Sequence, residues 1–201
     1  MQVNTDQGYE QVNSGDKIRS PCGRSKSRLH VWKSISSNEH VIDIIENGYK
    51  LPFKTDPERA VLNNNKSSRD NPDFVKSEID NLFNKGCISE VNFQPHVVNP
   101  LTVAFNKKNK PKLVLDCRHI NPHLFKFRFK YEDTTVARNL FDKGDFLFSF
   151  DLSQAYHHIP IFNSHRAFLE FCWKYNDVTK YFVLNVLAFG ISTAGYILPK
   201  S

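Results

Sequence analysis

Several features that mark common protein classes are missing from this sequence. Its 201 residues include four cysteines without a CxxC pair, and the N-terminus has no apolar stretch suited to a signal peptide or a membrane span. We therefore expect an intracellular protein, cytoplasmic or nuclear, with reduced thiols and no membrane partner. A zinc site formed by Cys172 with His157, His158 or His165 is disfavoured, because scattered Cys and His residues are more often core residues than ligands.

Acidic residues are also scarce, and the C-terminal part has none from Val178 onward. Across the chain 27 Lys and Arg face 21 Asp and Glu, which gives a formal net charge of +6. A basic excess indicates a polyanionic partner, with nucleic acid as the first candidate, although it says nothing about the fold.

The basic residues concentrate between residues 106 and 130, where eight Lys or Arg accompany a single acid, Asp116. Phe125, Phe127 and Phe129 alternate with the last three basic residues. This pattern favours a surface that meets phosphates while its apolar side packs on the core. A solvated charged face is the alternative interpretation.

Composition divides the chain into three parts. Residues 1–28 are polar and nearly free of large apolar side chains, so we expect a disordered arm. Residues 29–70 form an N-terminal extension with a short helix, a strand-like segment at Gly48–Phe53 and a polar linker from Asn63 to Asp70. Residues 71–201 mix helix and strand patterns without an internal repeat, which predicts an α+β fold.

Local patterns predict the elements of this third part. Asn71 and Pro72 favour a helix start, with Asn71 as the cap, and apolar residues at helical spacing follow as far as Gly86. Two β-rich runs, Leu101–Phe105 and Lys112–Asp116, flank a basic turn and predict a hairpin. The remaining predictions are a strand at Phe146–Phe150, a helix starting at Ser153, strands at Phe168–Trp173 and Tyr181–Val186, and a truncated helix at Ile191–Leu198.

Asp151 ends the apolar run at Phe146–Phe150 and is a candidate for chemistry. A carboxylate at the end of a buried strand must be hydrogen-bonded, paired or bound to metal, and a structural role is as common as a catalytic one. Tyr156, further along the predicted helix, would form the floor of a pocket or a core contact. His157 and His158 point about 100° apart on a helix and have no acid partner, which indicates structural roles.

Three segments, in this order, resemble the reverse transcriptase family: Pro111–Asn121 (PKLVLDCRHIN), Phe148–Ile159 (FSFDLSQAYHHI) and Leu187–Ala194 (LAFGISTA). The tripeptide at Tyr156 and the segment Gly48–Phe53 (GYKLPF) resemble most closely the DIRS-type retroelements, which use a tyrosine recombinase. The resemblance spans roughly residues 75 to 200. It implies the fingers and a partial palm of a right-hand polymerase.

The resemblance implies roles for individual residues of the palm. Asp151 matches the first metal-binding carboxylate, and the backbone carbonyl of Leu152 would be a further ligand for Mg²⁺. Tyr156 matches the aromatic residue that blocks a ribose 2′-hydroxyl and so selects deoxynucleotides. Ala155 would lie in the same pocket.

Further roles follow by resemblance for the fingers and for a later loop. Lys112 would contact the incoming triphosphate, and Phe189 and Gly190 would line the nucleotide site near the template base. The residues expected to contact nucleic acid or triphosphate from the fingertip are Lys107, Lys108, Lys110 and Arg118.

Family members carry their remaining catalytic carboxylates in a later Tyr-x-Asp-Asp hairpin, and this sequence has no such motif. We therefore expect a fragment truncated before that motif, with an incomplete second metal site and no polymerase activity alone. Ala188 and Gly195 stand where the family usually has proline, which implies a less rigid loop. The palm strand before Asp151 would lack its usual partners, and such an edge favours self-association.

The resemblance implies dNTPs and an RNA or DNA primer–template as partners, with template-directed DNA synthesis by two-metal nucleotidyl transfer in the complete family. Whether this chain is itself an enzyme stays open. One alternative is a nucleic-acid-binding or interaction module without catalysis. Another is a relic without a molecular role.

Overall fold

The computed structural model describes residues 21–36, 38–92, 96–127, 135, 138–139, 142–146 and 154–197. Within these ranges, helices and strands are mixed along the chain, in agreement with the predicted α+β class. The α-helices are α1 (Arg24–Ser27), α2 (Leu29–Ile35), α3 (Glu39–Asn47), α4 (Lys66–Arg69), α5 (Pro72–Asn84) and α6 (Ala194–Ile197). The strands are β1 (Ala60–Val61), β2 (Ile88–Val91), β3 (Val97–Val98), β4 (Leu101–Phe105), β5 (Pro111–Leu115), β6 (Glu170–Tyr175) and β7 (Val178–Leu184). Short 3₁₀ helices cover Asn121–His123, Ala155–His158 and Asn163–Phe168.

The described strands form two sheets. The larger has the order β1-β3-β6-β7-β2, with parallel pairing from β1 through β3 to β6 and antiparallel pairing of β7 with β6 and β2. The smaller is the antiparallel hairpin of β4 and β5, in which Ala104 pairs with Lys112. Both predicted strand pairs are confirmed, with bounds shifted by a few residues.

The helix α5 is confirmed, but its predicted cap is wrong. Pro72 occupies the first turn as expected, and Val75 and Ile79 are buried on its inner face. The Asn71 side chain makes no capping bond and instead donates to the carbonyl of Ser67 at 2.9 Å. The reason is a helix just before it, α4, which supplies a nearby acceptor.

That helix α4 also corrects the prediction of a polar linker between Asn63 and Asp70. Ser68 is fully buried, and its hydroxyl donates to the carbonyls of Asn65 and Leu101 at 2.8 Å each. A polar tract can therefore enter the interior when each buried group finds a backbone partner. Composition alone did not reveal those partners.

The segment Gly48–Phe53 is part of the core. The backbone N–H of Tyr49 donates to Pro160 at 2.7 Å, and Phe162 returns a bond to the Tyr49 carbonyl at 3.0 Å. Gly48 has φ 92°, and a Cβ there would lie 2.6 Å from the Phe162 nitrogen, so a glycine is needed. The predicted strand-like segment thus docks through isolated bridges at Tyr49 and Phe53.

Other predictions near the chain ends and the candidate site are modified. Residues 1–20 lie outside the described residues, but Arg24–Ser27 form a helical turn inside the segment predicted to be disordered, with Pro21 buried. Residues 147–153 also lie outside, which includes most of the strand expected at Phe146–Phe150, its edge for self-association and the Ser153 cap. Phe146, the first residue of that predicted strand, is described and is fully exposed outside any strand. The helix predicted over Ile191–Leu198 begins three residues later, at Ala194, and Leu198 lies outside the described residues.

Candidate nucleotide and nucleic-acid site

Three residues that the resemblance assigned to one nucleotide site come together in space. The Lys112 ammonium, on β5, lies 3.0 Å from the centroid of the Phe189 ring. The Phe189 ring contacts the Tyr156 ring at 4.5 Å between centroids, in an edge arrangement at 60°. Since these residues belong to three separate segments, their contact is a product of the tertiary fold.

The surroundings of Tyr156 agree with both interpretations of this residue. Its side chain is only 8% exposed and belongs to the main hydrophobic core. One edge still reaches Phe189, which is 38% exposed at the surface. Ala155 opens the same 3₁₀ helix, so the predicted α-helix starting at Ser153 is replaced here by a tighter turn.

His157 lies beside this cluster and is held neutral. Its ring centroid is 6.4 Å from that of Phe189, and its Nδ1 is buried without a hydrogen-bond partner among the described residues. Burial, together with the nearby charges of Lys85, Lys112 and His158, lowers the pKa of His157 to about 4. Sequence reasoning gave His157 a structural role and missed its position next to Phe189.

The basic hairpin, meaning β4, β5 and the turn between them, presents its lysines to solvent. Lys107, Lys108 and Lys110 are all exposed. The turn is organised by Asn106, whose side-chain oxygen accepts the backbone N–H groups of Lys108 and Lys110 at 2.9 Å each. The charges are therefore displayed on a turn whose backbone is fixed by an Asx-type arrangement.

Arg118, also predicted to contact phosphate, has a protein partner. Its guanidinium bonds both carboxylate oxygens of Asp116, with the Nε distances at 2.9 Å and the Nη2–Oδ2 distance at 2.5 Å. Asn65 adds a donor to Asp116 at 2.8 Å. The Arg118 hydrogen bonds, together with the Asn65 and backbone donors, hold the pKa of Asp116 below its usual value despite partial burial. A phosphate would have to share this guanidinium with Asp116.

The 187–194 loop contacts the hairpin through Gly190. A Cβ on Gly190 would lie 1.8 Å from the carbonyl oxygen of Leu115, which no side chain can tolerate. The Gly190 carbonyl accepts a bond from the side chain of Asn121 at 2.9 Å. Asn121 was not among the predicted site residues, although it closes the segment PKLVLDCRHIN that carries the family resemblance.

The metal ligands predicted from the resemblance, Asp151 and Leu152, lie outside the described residues. Within the described part of the chain, no three His, Cys, Asp or Glu side chains form a group that could hold a metal ion. Glu170 is fully buried in β6, and burial raises its pKa to about 8, so it is protonated at neutral pH. Asp177 is ion-paired with Lys174 at 2.8 Å. Glu170, which is neutral at pH 7, is therefore not suited as a metal ligand.

In the residues that the structure covers, no helix combines the length and apolar character needed to cross a membrane.

Comparisons with known proteins give a match in structure only. No protein-family model and no curated protein matches this chain. Two solved structures of prototype foamy virus protease-reverse transcriptase match it at 15% identity: the native protein, with a TM-score of 0.54 over 75% of this chain, and a selenomethionine-labelled CSH mutant, with 0.56 over 74%. This chain spans 19% of the length of each. The likeness is one of fold, and the chain has a reverse-transcriptase-like fold.

Proposed function

We propose that this chain forms the fingers and part of the palm of a retroelement reverse transcriptase, of the DIRS type. Its deoxynucleotide site would be the cluster of Lys112, Tyr156 and Phe189. The observation that supports this most is the contact of these three residues, which come from separate segments and which the resemblance assigns to a single site. Hydrophobic burial alone gives no reason to seat an exposed lysine on a half-exposed ring beside a buried tyrosine.

Lys112 is placed to exchange its contact with the Phe189 ring for a hydrogen bond to a phosphate. A cation over an exposed aromatic ring is worth about 0.5–1 kcal/mol, whereas a hydrogen bond to a charged group is worth about 1.5–3 kcal/mol. The ammonium over Phe189 would therefore move to a triphosphate oxygen when a nucleotide binds. The ring of Phe189 would then be uncovered next to the nucleotide base.

Tyr156 would set sugar selectivity. Its ring is held from below by the core and from one side by Phe189, so it has little freedom to move. A ribose 2′-hydroxyl that meets a fixed aromatic face loses its hydrogen bonds to water without a replacement. Deoxynucleotides avoid this cost.

Magnesium would be held by the Asp151 carboxylate and the Leu152 carbonyl. These are oxygen donors of the kind that Mg²⁺ prefers, but they are few for a two-metal site. When bound, the ions supply activation of a primer 3′-hydroxyl and neutralisation of the triphosphate. Because no Tyr-x-Asp-Asp motif is present, we expect the 201-residue polypeptide alone to give no primer extension with Mg²⁺ and dNTPs. Template-dependent extension above that of Asp151→Ala would overturn this expectation.

Nucleotide binding tests the proposed site without requiring catalysis. Calorimetry with dTTP and Mg²⁺ should show binding that Lys112→Ala weakens about tenfold, the loss expected for one charge-assisted hydrogen bond. Lys180→Ala is the matched control, because Lys180 is also a strand lysine but lies in the larger sheet, where it is paired with Glu90. Tyr156→Ala should reduce the ratio of dUTP affinity to UTP affinity, because these two nucleotides differ only in the 2′-hydroxyl. Nucleotide binding that neither Lys112→Ala nor Tyr156→Ala alters would refute the proposed site.

A second candidate function is a nucleic-acid-binding module that uses the basic hairpin without catalysis. The observation that favours it is the display of Lys107, Lys108 and Lys110 on a turn fixed by Asn106. Such a module would bind primer–template without Mg²⁺ or nucleotide, and its affinity would fall steeply with salt. Binding that is independent of salt would count against it.

A further inference from the structure

We propose that Asn121 is a positioning residue that fixes the 187–194 loop against the basic hairpin and thereby sets the place of Phe189. The consequence for nucleotide binding rests on the proposed function. The positional claim itself rests only on the contacts of Asn121, Gly190 and Ser192.

The backbone at Asn121 is held in place by its neighbours. It opens the 3₁₀ helix after β5, and its backbone N–H donates to the Cys117 carbonyl at 2.8 Å. The neighbouring Ile120 and the following Leu124 are both fully buried. The side-chain amide therefore projects from a backbone that is itself held by the core.

Both halves of the amide bind the same loop. The Nδ2 group donates to the Gly190 carbonyl at 2.9 Å, and Oδ1 accepts the backbone N–H of Ser192 at 2.8 Å. An amide carries a donor and an acceptor at fixed separation, so it matches a carbonyl and an N–H two residues apart. A carboxylate only accepts and an ammonium only donates, so neither can supply this combination without a change in protonation, and a hydroxyl has its donor and acceptor on a single atom.

We call these two hydrogen bonds from Asn121 the clamp. The clamp holds the 187–194 loop against β5, the strand that carries Lys112. Gly190 lies so close to Leu115 and Cys117 that an added Cβ would be 1.8 Å from the Leu115 oxygen and 3.1 Å from the Cys117 sulfur. Phe189, the preceding residue, has its ring beneath the Lys112 ammonium and beside Tyr156. Asn121 thus links the segment that follows β5 to the loop that carries Phe189.

This arrangement bears on the rigidity of the loop. Ala188 in place of a family proline predicted a less rigid loop, since proline would fix one backbone dihedral. The two hydrogen bonds from Asn121 supply a restraint from outside the loop instead. They act on the residues that directly follow Phe189.

Amide hydrogen exchange measured on the whole chain tests the clamp without any ligand. In Asn121→Ala, the Ser192 amide loses its acceptor, and its exchange should accelerate about tenfold or more relative to the core strands. Asn121→Asp keeps an oxygen acceptor, so the Ser192 amide should stay largely protected although the bond to Gly190 is lost. Asn71→Ala is the control, because that amide bonds only the Ser67 carbonyl among the described residues.

The result that would overturn the proposal is equally local. Unchanged exchange at Ser192 in Asn121→Ala would refute the clamp, and so would an acceleration spread evenly over the chain. If Asn121→Ala does not fold, Asn121→Leu, which is similar in size but offers no acceptor, should accelerate exchange at Ser192 in the same way, and unchanged exchange there would refute the clamp.

Affinity for dTTP and Mg²⁺ separates this inference from the proposed function. With the clamp and the nucleotide site both correct, Asn121→Ala should weaken binding about tenfold, and Asn71→Ala should leave it unchanged. Absence of binding in the parent chain would refute the nucleotide site, while the exchange data would still support or refute the role of Asn121.

Discussion

Two acidic side chains, one just after the hairpin and one within the larger sheet, lie in opposite electrostatic surroundings. Asp116, which follows β5 of the hairpin, accepts hydrogen bonds from Arg118 and Asn65, and these hold its pKa below the usual value. Glu170, within β6 of the larger sheet, is fully buried, and its carboxyl oxygens make no hydrogen bond with a described residue. The His96 backbone amide lies near the Glu170 carboxyl without good hydrogen-bond geometry. Burial raises the pKa of Glu170 to about 8.

The difference shows that solvent access and partners, more than residue type, decide the charge of an acid here. Asp116 is ionised and ties the hairpin stem to Asn65, just before α4. Glu170 is neutral, and ionising it would expose a charge to an apolar interior. The two acids should therefore give the fold opposite dependences on pH.

The largest expected effect comes from Glu170. Its folded pKa lies above the unfolded value, so its contribution favours folding below about pH 4.5 and is lost as pH rises through about 8. The loss for this single group would be about 3–5 kcal/mol. Urea unfolding at pH 5 and pH 9 should show it in the parent chain, and Glu170→Gln should remove most of it.

The matched control for this experiment is Glu90→Gln, which changes a glutamate of β2 that is paired with Lys180 at the sheet surface. If Glu90→Gln and Glu170→Gln alter the pH dependence equally, the buried carboxyl is not its source.

Asp116 gives the next effect, with the opposite sign. Its folded pKa is depressed, so its stabilisation is present above the unfolded pKa and is lost as pH falls through the lower, folded value. Asp116→Asn should lower the free energy of unfolding by about 1–2 kcal/mol at pH 7, since it removes a partly exposed bidentate pair. The difference in free energy of unfolding between parent and variant should become smaller as pH falls below 3.8, toward the lowered pKa of Asp116. A difference that stays the same between pH 7 and pH 3 would contradict this assignment.

Removing Asn65 should weaken the same cluster by a smaller amount. Asn65→Ala deletes the donors to Asp116 and Thr102 but leaves Arg118 in place, so we expect a loss of about 1 kcal/mol. NMR titration of the Asp116 carboxyl should show a rise in its pKa in this variant. An unchanged Asp116 titration would mean that Arg118 alone determines its ionisation.

The smallest effect on stability is expected at the hairpin tip. Changing Lys107, Lys108 and Lys110 together to Gln should alter the free energy of unfolding by less than about 0.5 kcal/mol, because all three are exposed. The same variant should reduce the salt dependence of primer–template binding by about two to three in log–log slope. A large loss of stability would show that these lysines support the fold.

Sequence reasoning predicted α5, the β4–β5 hairpin and the β6–β7 pair, because these depend on apolar spacing and turn residues a few positions apart. It failed for the tract from Asn63 to Asp70, where buried Ser68 depends on a carbonyl 33 residues away. Family resemblance grouped Lys112, Tyr156 and Phe189 as one site. It did not reveal Asn121, whose importance comes from two hydrogen bonds to a distant loop.

By itself, the sequence determined the type and order of most elements and the concentration of positive charge on one hairpin. Periodicity, turn chemistry and charge are properties of neighbouring residues, and they are fixed before the chain folds. Only the tertiary structure decided that Gly190 would press against Leu115, that Asp116 would be ionised and that Glu170 would be neutral. Each of these depends on which groups meet across the chain and on whether water is excluded from the contact.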